Sequence, residues 1–152
     1  MLNKSFLVID IGYLTLDYLV VNNLKPNYEL SGATDFGTSV LVKDCLEYLK
    51  SDKDLAKPFQ NPELINTAFS TRKFSIYGIE YSFPLHQEDG QVIFDCRPII
   101  ERHIKQAVDH VKNIVGMGEN LDGTVVVDGG SSLIYPFVER VDSLITRCTS
   151  MV

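Results

Sequence analysis

The first third of the chain is a run of β-formers broken twice by short turns, and that pattern commits the fold to an antiparallel start. Phe6-Leu7-Val8-Ile9 ends at Asp10, and Ile11-Gly12-Tyr13-Leu14 forms a tight turn. Strand character resumes through Leu16, Tyr18, Leu19, Val20 and Val21. Asn22-Asn23 marks a second turn, because asparagine tolerates positive φ, and residues from about Tyr28 to Ala33 supply a third strand. Turns of a few residues join antiparallel neighbours, so this segment reads as a three-stranded meander.

Helical periodicity follows. Leu41, Val42, Cys45, Leu46 and Leu49 form one apolar stripe, and Gly37-Thr38-Ser39 before it offers a hydroxyl cap. Cys45 lies on the stripe and reads as a small core residue. Asn61-Pro62 is an N-cap with a first-turn proline, opening a helix through Leu64, Ile65, Ala68 and Phe69. Phe74, Ile76, Ile79, Tyr81 and Phe83 around Gly78 predict a hairpin, and residues 84–90 predict a loop. A long helix starts near Pro98 with Ile100, Ile104, Ala107, Val111 and Ile114 on one face; Gly116 and Gly118 stop it. Thr124 to Val127 is a short strand ending at Asp128-Gly129-Gly130, and Ser131-Ser132 can start a further helix.

This alternation of elements makes the chain α/β, with a mixed sheet beginning as an antiparallel meander and helices packed on it. A small helix and hairpin subdomain, about 38–90, is expected as an insertion. With 152 residues, 45% hydrophobic and 22% charged, one core accounts for the whole chain (1–152), and disorder or a disulfide scaffold is excluded. Three scattered cysteines without a C-x-x-C pair, no signal-peptide pattern and no apolar run of ~18 residues predict a cytoplasmic protein without a membrane span. The net charge of −6 removes the basic footprint of a phosphate-backbone binder, so no direct nucleic-acid contact is expected.

Two segments carry chemistry, and both sit where a strand stops. Asp10-Ile11-Gly12-Tyr13-Leu14-Thr15-Leu16-Asp17 places a carboxylate at a strand end, a glycine beside it and a hydroxyl three residues on. Backbone N–H groups in a tight turn face an anion, and Gly12 lacks the Cβ that would block its approach. Asp10 would hold Mg2+ through water, since that ion keeps most of its waters and takes few carboxylates. Val125-Val126-Val127-Asp128-Gly129-Gly130-Ser131-Ser132 lets a flat ligand lie against bare backbone near a helix start. Taken singly, each segment is also what a plain hairpin turn or a strand-to-helix turn looks like.

Together, Val8-Ile9-Asp10-x-Gly12-Tyr13-x-Thr15-Leu16-Asp17, Ser31-Gly32-Ala33 with Gly37-x-Ser39, Phe74-x-Ile76-x-Gly78 and Val126 through Ser132 resemble the second domain of actin-like ATPases. The resemblance spans roughly residues 5–139. It is nearest to the plasmid-segregation branch called ParM or StbA, and within it to the actin-like protein D of plasmid PRTRC gene clusters. The resemblance implies ATP and Mg2+ as cofactors and head-to-tail filament assembly, with a partition adaptor as a further partner. It implies that Asp10 is catalytic and orients metal-bound and attacking waters. It also implies that Gly12, Tyr13, Leu14 and Thr15 form a phosphate loop, and that Gly129, Gly130 and Ser131 form an adenosine motif. Asp17 belongs to the pattern with a structural role in the second strand. The family's first domain has no counterpart in the sequence, and residues 140–152 do not clearly supply the strand and helix expected after the adenosine motif. The expectation is therefore half of a catalytic cleft with little hydrolysis alone.

A different class of function is a stand-alone interaction module that kept the fold and lost catalysis. A two-metal nuclease using Asp10, Asp17 and Asp128 is a third, needing ions ~4 Å apart bridged by carboxylates. His86, His103 and His110 read as surface histidines, the last two sharing a helix face.

Overall fold

The computed structural model describes residues 3–52, 61–128 and 136. Strands β1 (Ser5–Ile11), β2 (Leu16–Asn22) and β3 (Lys25–Thr34) form the predicted meander. A two-residue turn joins β2 to β3, with Asn23 (φ 52°) and Leu24 (φ 64°) both left-handed, so β3 starts at Lys25 and not at Tyr28. Then come α1 (Thr38–Ser51), α2 (Pro62–Thr71), β4 (Lys73–Ile76), β5 (Ile79–Ser82), β6 (Leu85–Glu88), β7 (Gln91–Asp95), α3 (Arg97–Val115) and β8 (Gly123–Asp128). β8 returns parallel to β1, which makes the sheet mixed, in the order β3-β2-β1-β8.

Strand alternation sorts the sheet into two faces. Leu7, Ile9, Ile11, Leu16, Tyr18, Val20, Thr124 and Val126 are buried on one, where α3 lies against β2 and β3 and α1 packs on α3. On the other face Phe6, Val8 and Val125 are half-buried and Asp10 is exposed. One contiguous apolar cluster runs from this sheet through α1, α2 and α3 to Phe74, Phe83 and Phe94 of the hairpin region. Cys45 and Cys96 are fully buried in it with free thiols.

The Ser31-Gly32-Ala33 motif has a structural use. β2 and β3 slip register between Tyr18 and Val20, leaving residues 28–31 opposite Leu19. Ser31 Oγ fills the gap, accepting from the Val20 N–H (3.0 Å) and donating to the Asn27 carbonyl (2.6 Å). Ser31→Ala is expected to lower stability by about 1–2 kcal/mol in urea denaturation, because a half-buried N–H loses its acceptor.

The predicted start of α2 is present: Asn61 Oδ1 accepts the Glu63 N–H at 3.0 Å, with Pro62 at the first helical position. Two expectations need correction. Residues 84–90 are not a loop, because β6 and β7 form a hairpin around Asp89 (φ 48°) and Gly90 (φ 79°). His86 and His103 are not surface residues. His86 is stacked on Phe94 (5.7 Å), and its Nδ1 accepts the Ser82 N–H at 3.1 Å. His103 donates from Nε2 to the Phe36 carbonyl (3.2 Å), while His110 is exposed and shares the Phe36 ring with it. On α3, Ile114 is 37% exposed and His103 takes a place on the buried face instead.

Burial pushes the His103 imidazole below its ordinary 6.5. A group depressed in the folded state costs nothing above 6.5; below it, the unfolded chain takes up the proton first, so stability falls as pH drops from 6.5 toward the lowered value. Thermal midpoints measured from pH 8 to pH 5 should fall more steeply for wild type than for His103→Gln.

Candidate functional site

The loop between β1 and β2 is built by strand pairing and closed from below by a helix. Asp10 and Asp17 are cross-strand partners one step before Ile11 and Leu16, and the loop runs from Gly12 to Thr15. Gly12 donates its N–H to the Thr15 carbonyl at 2.9 Å, and a Cβ on Gly12 would lie 3.1 Å from that oxygen. Among the described residues the amides of Tyr13, Leu14 and Thr15 have no acceptor, and the Asp10 carboxylate has no hydrogen-bond or ion-pair partner. Tyr13 and Leu14 expose 55% and 68% of their surface, so the loop stands in solvent.

Asp17 acquires a definite role. Its Oδ2 accepts the Thr15 hydroxyl proton at 2.9 Å, so Thr15 presents oxygen lone pairs, not a donor, to a ligand over the loop. Like charges directly opposite on a sheet repel; with Asp17 held by Thr15, the exposed carboxylate of Asp10 is the one left to meet a cation.

The second motif begins beside the first. β8 runs parallel to β1, with Val127 opposite Asp10 and Asp128 opposite Ile11, so both strands stop at the same end of the sheet. Gly129, Gly130 and Ser131 lie outside the described residues. Among the described residues no three His, Cys, Asp or Glu side chains gather around a metal position.

The hydroxyl cap expected from Gly37-Thr38-Ser39 is not made. Gly37 is the N-cap of α1 without a side-chain bond; instead the helix donates to the loop. Thr38 N–H reaches the Gly12 carbonyl at 3.0 Å and Ser39 N–H the Tyr13 carbonyl at 2.8 Å, with the Thr38 hydroxyl at 3.4 Å from the Gly12 oxygen. A Cβ on Gly37 would meet the Leu14 carbonyl carbon and lie 2.5 Å from the Tyr13 oxygen. The cap expected of Gly37-Thr38-Ser39 is a local pattern, whereas this contact joins residues 23 or more apart, beyond the reach of a local signal.

A cavity of about 350 Å3, lined by Ser5, Asn22, Leu30, Met117 and Leu121 among others, lies at the opposite end of the sheet. It shares no residue with the loop.

A mixed sheet that opens with a meander, closes with a parallel fourth strand and brings a glycine hairpin to that strand's end is the layout that the resemblance to actin-like ATPases implies. The family model of archaeal actin homologues, MreB-like, C-terminal, matches residues 8–140, and the chain belongs to that family. Solved structures agree in fold. The archaeal actin homologue Ta0583 in complex with ADP superposes with a TM-score of 0.70 at 18% identity, over 100% of this chain and 45% of that one. The ParM of a 15-stranded filament from Clostridium botulinum gives 0.70 at 14% identity, over 98% and 41%. The ParM of psk41 in its apo form gives 0.67 at 15%, over 98% and 36%. This chain therefore spans less than half the length of these structures. A search of curated protein sequences returns no match. Among the described residues no helix is long and apolar enough to cross a membrane.

Proposed function

We propose that the chain is the ATP- and Mg2+-binding half of an actin-like ATPase of the ParM/StbA plasmid-segregation type, within that branch nearest to the PRTRC actin-like protein D. One observation carries the reading: on one hairpin at a strand end, an exposed carboxylate and three loop amides have no partner among the described residues. Such amides take phosphate oxygens, and a single carboxylate suits an ion that keeps its water shell. The chemistry of this donor set fits Mg2+ at Asp10. When bound, the metal would neutralise phosphate charge. Asp10 would hold the ion through water and orient that water, and the Tyr13, Leu14 and Thr15 amides would hold phosphate oxygens, with the Thr15 hydroxyl oxygen as a further acceptor. Gly129, Gly130 and Ser131 receive the nucleoside.

In this reading residues 38–90 are the inserted subdomain, and hydrolysis stays small until the other half of the cleft is added, because phosphoryl transfer needs charge stabilisation from both sides. Self-association is head-to-tail, as an open heterologous contact requires, and a partition adaptor protein links the filament to its cargo. ADP in the Ta0583 complex and the Clostridium botulinum ParM filament support these proposals by kinship.

Isothermal titration with Mg·ATP tests the site. Wild type should bind, and Asp10→Ala and Gly130→Val should bind at least about tenfold more weakly, a loss of about 1.4 kcal/mol. Equal binding by all three rejects the assignment. A chain that binds no nucleotide yet captures a protein partner supports the interaction-module reading instead.

A further inference from the structure

We infer that Gly37 and the first turn of α1 are positioning elements that set which way the loop's amides face. The inference rests on the nucleotide reading for its consequence and on the loop geometry for its cause. A trans peptide is planar, with its C=O and N–H pointing opposite ways. The Gly12 carbonyl shares a peptide plane with the Tyr13 N–H, and the Tyr13 carbonyl shares one with the Leu14 N–H. Both carbonyls are tied down to α1, by Thr38 N–H at 3.0 Å and Ser39 N–H at 2.8 Å. Both N–H groups are thereby turned away from the helix, where nothing in the described chain accepts them.

Two further observations fit this design. α1 has no side-chain cap and no acid in its first turn, so the loop's carbonyls satisfy donors that helices otherwise leave orphaned. Gly37 is backed by the Leu14 carbonyl carbon and the Tyr13 oxygen so closely that any Cβ would push the two peptides off the helix. The positive end of the α1 dipole then lies behind the anion-facing amides and adds to their attraction. None of these residues needs to touch the ligand. Gly37, Thr38 and Ser39 act through the loop.

Thr38→Pro removes one clamp without removing the helix. Proline fits the first helical position, and Gly37 already has the extended backbone (φ −71°, ψ 168°) that a residue before proline prefers. Thr38→Ala keeps the N–H and loses only the hydroxyl. Circular dichroism checks that each variant is folded, amide resonances of Tyr13, Leu14 and Thr15 report the unliganded loop, and titration with Mg·ATP reports affinity. Thr38→Pro and Gly37→Ala should displace those resonances and weaken Mg·ATP by at least about tenfold, with Thr38→Ala within about threefold of wild type. The inference is overturned if folded Thr38→Pro leaves the resonances in place, if it moves them without loss of affinity, or if Thr38→Ala loses as much. Should Gly37→Ala fail to fold, the proline and alanine variants of Thr38 decide alone. If wild type takes up no Mg·ATP, the nucleotide reading fails; the resonances then decide the positioning claim, movement supporting it and none refuting it.

Discussion

Phe94→Ala is expected to remove about 3–5 kcal/mol, enough to bring the fold close to its unfolding threshold at ambient temperature. Phe94 is 1% exposed and lies at the centre of a ring cluster, stacked on Phe74 at 5.8 Å and on His86 at 5.7 Å, with Tyr81 at 6.5 Å. Deleting the ring leaves a cavity that neighbours from β4, β5 and β6 cannot all fill. At about 2–4 °C per kcal/mol for a chain of this size, the thermal midpoint should drop by about 6–20 °C. The same melt tests how the proposed insertion relates to the sheet. Because one apolar cluster joins Leu7 and Ile9 to Phe74 and Phe94, unfolding followed by circular dichroism should remain a single transition. A separate early transition in the variant would show that residues 38–90 melt as an independent unit.

Asp10→Asn should move stability and binding in opposite directions. Asp10 sits directly across from Asp17, two like charges on one face of the sheet. Removing one relieves a repulsion of about 0.2–1 kcal/mol, so the thermal midpoint should rise slightly. Mg·ATP binding should weaken at least about tenfold, because the hairpin loses the carboxylate that has no partner among the described residues. That opposition is characteristic of a residue kept for function at the expense of stability. A variant that is less stable and binds as well as wild type would mark Asp10 as a structural residue and the site as misplaced.

Much of this architecture was readable because the signals are local. The meander follows from β-formers around short turns, α2 from Asn61-Pro62, and α3 from its apolar spacing and Gly116, whose N–H closes onto the Lys112 carbonyl at 2.8 Å. The β6–β7 hairpin was hidden because β6 (Leu85–Glu88) is largely polar; His86 turns inward among aromatic rings where periodicity anticipates an apolar residue. His103 was misread for a similar reason: a carbonyl from the segment before α1 satisfies its ring nitrogen, and no local pattern announces that partner.

For the candidate site, sequence placed Asp10, Gly12, Tyr13, Leu14 and Thr15 on one hairpin, where the structure has them. It also put the V-V-V-D motif at a strand end, and the parallel pairing of β8 with β1 makes that end adjacent to the loop. What escaped it depends on contacts between distant segments. Gly37 is the N-cap of α1, but its need to be glycine shows only when the Leu14 peptide is seen lying against it. Asp17 reads only as a structural residue of its strand until the Thr15 hydroxyl is found on its carboxylate.

The central claim is that nucleotide binds at the β1–β2 loop, and a titration of isotope-labelled chain with Mg·ATP, followed by amide resonances, tests it most directly. The account predicts saturable shifts at Tyr13, Leu14 and Thr15, with little change at Met117, Gly118 and Leu121 around the cavity at the far end of the sheet. Shifts confined to that cavity, or a loop that stays unmoved while nucleotide binds, would contradict it.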